Sequence, residues 1–89
     1  STRVLVQADA AYTEQRLMYH LLPLNVGALS LALGTGVPIP VGTLIVIHES
    51  QSAHYDPASQ QLQLQGHTLA VDAVVQDASV LLLRYRGAP

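Results

Sequence analysis

The sequence predicts an all-β fold of about six strands ending in a C-terminal meander, and three observations carry that prediction. Apolar residues alternate with polar ones in several short runs, the period of a strand with one face on a core. Thr43-Leu44-Ile45-Val46-Ile47 is an unbroken aliphatic run rich in β-branched residues, the pattern of a strand buried on both faces. Turn signals at Gly34-Thr35-Gly36, Asp56-Pro57, Gly66-His67 and Gln76-Asp77-Ala78 separate these runs.

Taken in order, Val4, Val6, Ala8 and Ala10 alternate with Arg3, Leu5, Gln7 and Asp9, which predicts a first strand. Leu5 blurs the alternation, as expected for a strand covered on both sides. Residues 11–22 fit two patterns. Leu17/Leu21 and Met18/Leu22 stand at i, i+4, whereas Leu17, Tyr19 and Leu21 also alternate with Arg16 and His20. A strand over 15–22 is favoured, because Pro23 would stop a helix at once and no good cap precedes it. Leu29, Leu31 and Leu33 alternate with Ser30 and Ala32. Val37-Pro38-Ile39-Pro40-Val41 lacks two backbone donors and belongs to an edge or an extended connection. Residues 49–60 form the most polar stretch and are expected to be a loop. Leu62 and Leu64 open a hairpin that turns at Gly66-His67 and returns over 68–75, and 79–85 forms the last strand. In that strand Arg84 and Arg86 share one face and Tyr85 takes the other.

Composition narrows the function classes. The 89 residues suffice for one domain, 1–89, and the chain is expected to be an excised piece of a longer protein, since it does not begin with Met. Hydrophobic residues make up 49% and charged residues only 11%, whereas soluble surfaces are usually about 25–35% charged. Such a chain is ordered, and is expected to hide apolar surface in an oligomer. A net charge of −2 gives no footprint for nucleic acid. Without cysteine there is no disulfide framework and no thiolate chemistry. The richest apolar stretch, residues 21–47, is broken by prolines and glycines, so no membrane insertion is expected.

The residues that could carry chemistry are few. His48 and His54, with Glu49 and Asp56, span a polar segment that lacks the His-x-His spacing which puts two ligands on one strand face. Ser30 has no nucleophile elbow around it, and Ser50, Ser52 and Ser59 are loop serines. Gly34-Thr35-Gly36 lacks the lysine of a phosphate loop. Neither an enzyme nor a cofactor is therefore expected. Tyr12, Tyr19, Tyr55 and Tyr85 are the only aromatics and must serve core and interface alike.

From Leu22 onward the order of features resembles the surface-presentation-of-antigens domain of flagellar switch and type III secretion cytoplasmic-ring proteins. Leu22-Pro23-Leu24-Asn25-Val26 is similar to that family's Leu-Pro-aliphatic strand, and Val41-Gly42-Thr43-Leu44-Ile45-Val46-Ile47 to its Gly-launched strand. The hairpin Leu62 to Val71 and the closing strand Val80-Leu81-Leu82-Leu83-Arg84-Tyr85 complete the likeness. The segment Leu31–Pro40 and the longer loop Glu49–Ser59 depart from it and look most like the divergent first copy in longer ring proteins. The resemblance implies an intertwined or edge-paired β dimer, partnered by itself or a paralogous domain, in the cytoplasm beside a membrane-embedded apparatus. The interface would draw on Leu44, Ile45, Val46, Leu62, Leu64, Leu81, Leu83 and Tyr85. The alternative reading is a small β-sandwich or barrel that binds a ligand or carbohydrate through Tyr55, His54 and Asp56, or a virion or tail domain.

Overall fold

Parallel strands can be joined only by a crossover, and the N-terminal half of this chain is built on two of them. The computed structural model describes residues 3–10, 15–16, 18–19, 25–36, 38–48, 50–77 and 80–87. The elements are β1 (Arg3–Gln7), β2 (Asn25–Ala28), α1 (Leu29–Thr35), β3 (Leu44–His48), β4 (His54–Asp56), β5 (Gln61–Leu64), β6 (His67–Gln76) and β7 (Val80–Gly87). The fold is all-β: seven strands form one sheet in the order β2-β1-β3-β7-β6-β5-β4. β1 pairs in parallel with β2 and with β3, and every other pairing is antiparallel. The predicted meander is present as β4-β5-β6-β7.

β1 is buried on both faces: Leu5 points one way and Val4 and Val6 the other, and all three are buried. The chain steps from β1 out to β2 and then returns past β1 to β3. One connection carries helical residues Gln15, Arg16, Met18 and Tyr19, where a strand over 15–22 is the sequence expectation. The rest of that predicted strand, and Tyr12, lie outside the described residues.

The second correction is α1. Leu29, Leu31 and Leu33 alternate like a strand, but Leu29 and Leu33 also stand at i, i+4, and these two are buried while Leu31 is 67% exposed. Burial thus follows the helical period. Gly36 ends the helix in the left-handed conformation (φ 70°), its N–H bonding the Leu33 carbonyl at 3.3 Å.

A third correction lies in the polar stretch, where His54–Asp56 forms an edge strand on β5. The Asp56 carboxylate closes the following turn by accepting the Ala58 N–H at 3.0 Å and the Ser59 hydroxyl at 2.8 Å. The β5–β6 hairpin turns at Gln65-Gly66, one residue earlier than expected, with positive φ at both positions (53° and 76°).

One hydrophobic core joins Leu29 and Leu33 of α1 with Leu5, Ile45 and Ile47, and with Leu62, Leu64, Leu69, Val71 and Leu83 of the meander. β5 stands four strands from β1, about 19 Å along a flat sheet. Two register shifts in β6, between Ala70/Val71 and Ala73/Val75, bend that strand and curl the sheet around the shared core.

Candidate functional site

Directly opposite residues in neighbouring strands share a sheet face. The register Leu5–Ile45–Leu83–Ala73 therefore marks the core face. The adjacent register, Val6–Val46–Leu82–Val75, runs across the same four strands on the other face. Along it exposure rises: Val6 is fully buried, Val46 and Leu82 are half-buried, and Val75 is 48% exposed. Leu44 lies two residues from Val46 on this face, opposite Val4 and Arg84. Val74, exposed at the bulge, extends the apolar strip on β6. Arg86 and Asp72 form a 3.4 Å ion pair beside it, and both are half exposed, so it adds little stability.

The residues expected at an interface divide between the two faces. Leu44 and Val46 lie on the open face and are half-buried. Ile45, Leu62, Leu64 and Leu83 are packed in the chain's own core. Leu81 and Tyr85 are half-buried against that core. The run Thr43–Ile47 is therefore buried on one face, through Ile45 and Ile47, and only partly on the other. Leu82 and Val75 complete the open row and were not singled out by the sequence. The signal for Leu82 is the unbroken Leu81-Leu82-Leu83, which puts leucine on both faces of one strand.

A polar cluster lies where β1 and β3 end. The Asp9 carboxylate accepts the Gln51 N–H at 2.6 Å and the Ser50 and Ser52 hydroxyls, each at 2.7 Å. The Gln51 backbone bond, followed by the two serines, holds its carboxyl well below the usual carboxylate range. Buried Gln7 donates from Nε2 to Ser52 Oγ at 3.5 Å, and its Oε1 has no partner among the described residues. Ser50 and Ser52 are thus donors to a carboxylate.

Beside this cluster an open hollow of about 370 Å³ is lined by Ser52, His54, Gln63 and His67 among others. Among the described residues, no group of three or more His, Asp or Glu side chains could hold a metal ion. His48 ends β3, half-buried, while His54 is exposed at the start of β4. Asp56 is engaged by its turn, and its carboxyl is held low by the Ser59 hydroxyl and the Ala58 N–H. Tyr55 packs against the core. No helix among the described residues is long and apolar enough to cross a membrane. Compared with known proteins, the chain matches no family model, no curated protein and no solved structure.

Proposed function

We propose that this chain is a non-catalytic association domain that binds a second copy of itself or a paralogous β domain through the open sheet face. The carrying observation is the aliphatic row Val46–Leu82–Val75, which continues from buried Val6 and ends with Val75 48% exposed. A chain with 11% charged residues has little polar surface to offset such a strip. Both sheet edges are short, β2 with four residues and β4 with three, which disfavours edge-to-edge pairing. Face packing is accordingly the favoured mode. In line with the resemblance, the assembly is a cytoplasmic ring of a type III secretion or flagellar apparatus.

The ligand-binding alternative has less support, because Tyr55 and Asp56 are both committed to packing and turn contacts. Sedimentation equilibrium at micromolar concentration tests the proposal. The expected result is a dimer or larger species that Val75→Asp or Leu82→Asp converts to monomer, with Val75→Asp retaining native circular dichroism. A wild-type monomer whose melting is independent of concentration overturns it.

A further inference from the structure

On the helix side of the sheet, away from the association face, β2, α1 and the 38–40 segment enclose a hollow of about 440 Å³. Its walls include Ala28, Leu31, Ala32 and Ile39, with Pro38 and Pro40, which have no backbone N–H to offer. Thr35 also lines it, but its hydroxyl donates to the Ala32 carbonyl at 3.1 Å. The remaining polar side chain is Arg3. Its guanidinium has no acceptor or carboxylate partner among the described residues. Gly27 explains how that side chain is seated: a Cβ there would stand 3.3 Å from Arg3 Nη2, so glycine leaves the guanidinium room beside the strand. Leu31, the leucine that lines the hollow, is 67% exposed and offers it an apolar wall.

We propose that this hollow binds a small apolar monocarboxylate, its carboxylate paired with Arg3 and its aliphatic body against Leu31, Ala32 and Ile39. One cation matches one negative charge, and Arg presents a fork that fits a carboxylate in bidentate fashion. A dianion such as phosphate would leave its second charge against apolar wall, which disfavours it. The volume lies within the range of about 300–1,000 Å³ typical of small-molecule sites.

The test is titration of the chain with octanoate and, separately, with octanol, followed by amide chemical shifts. Octanoate is expected to shift Gly27, Ala28 and Ala32 and to bind at least about tenfold more tightly than octanol. Arg3→Gln, at an exposed position, should weaken octanoate about tenfold or more and leave octanol unchanged. Leu31→Asp, also exposed, should abolish octanoate binding by supplying its own carboxylate to Arg3. Equal affinity for octanoate and octanol, undiminished octanoate binding in folded Arg3→Gln, or shifts confined to other residues would overturn the proposal. So would a short peptide with a free C-terminal leucine that binds tenfold more tightly than octanoate, since the hollow would then be a peptide-terminus site.

Discussion

The Asp9 carboxylate accepts a 2.7 Å hydrogen bond from the hydroxyl of Ser52, a residue 43 positions further along the chain. With Ser50 and the Gln51 N–H it ties the end of β1 to the turn that follows β3. Hydrogen bonds to the charged form lower its folded-state pKa. The stability it lends is complete above the unfolded-chain value of about 3.9, and drains away as pH falls from there towards the folded value. Asp9→Asn should therefore lower the melting temperature at pH 6, and the gap to wild type should narrow as pH drops from 5 to 2. Thermal melts across that range check this, and a gap that is constant with pH would rule it out.

Ile45 and Val46 are neighbours on β3 with opposite fates, one fully buried and one half-buried on the open face. Ile45→Ala should destabilise the fold by about 2–5 kcal/mol, from lost transfer energy and an unfilled cavity. Ile45→Asp should not fold at all, because an unpaired buried charge has no compensating partner. Urea denaturation of Ile45→Ala decides the first point, and a loss below 1 kcal/mol would place Ile45 outside the core.

The hairpin turn Gln65-Gly66 holds a non-glycine residue at φ 53°. Asn tolerates that conformation better than Gln, and Asn-Gly is the favoured pair for two-residue hairpins. Gln65→Asn should stabilise the domain by about 0.5–1 kcal/mol. Gly66→Ala, at φ 76°, should destabilise it by about 1–2 kcal/mol. Opposite signs in a denaturation series would show that the turn does not limit stability.

Zinc or nickel should leave the melting temperature unchanged, and His48→Ala combined with His54→Ala should remain folded. A ligand at about 100 times its dissociation constant would add roughly 2.7 kcal/mol, so the measurement is sensitive. A metal-dependent rise that disappears in the double variant would locate a site in this segment.

The strands most legible in the sequence are those whose pattern has one reading. Leu62/Leu64 and the return over 68–75 fix β5 and β6, and Leu5 between Val4 and Val6 foretells burial on both faces of β1. α1 was hidden because Leu29 and Leu33 satisfy both periods, and only the exposure of Leu31 separates them. Helix-like connections read as strands in turn conceal parallel pairing, since crossovers are what parallel strands need. β4 is three residues long and mostly polar, too short for alternation to register. The Asp9 clamp joins residues more than 40 positions apart, and no local pattern encodes such a contact. The open row is half legible: Leu44 and Val46 were visible as apolar positions, but their face depends on a register that pairs β3 with β7.

The place of β1, between the edge strand β2 and β3, constrains the order in which the chain can be assembled during translation. Of the seven strands β1 is synthesised first, yet one of its two partners is β3. A nascent chain must keep Val4, Leu5 and Val6 out of wrong pairings until Leu44–His48 has left the ribosome, a delay on the order of seconds. The meander formed by β4 to β7 suffers no such delay, because each of its strands pairs with its sequence neighbour. Vectorial synthesis thus delivers this doubly buried strand well before its second partner, leaving a short apolar segment dependent on protection until β3 follows.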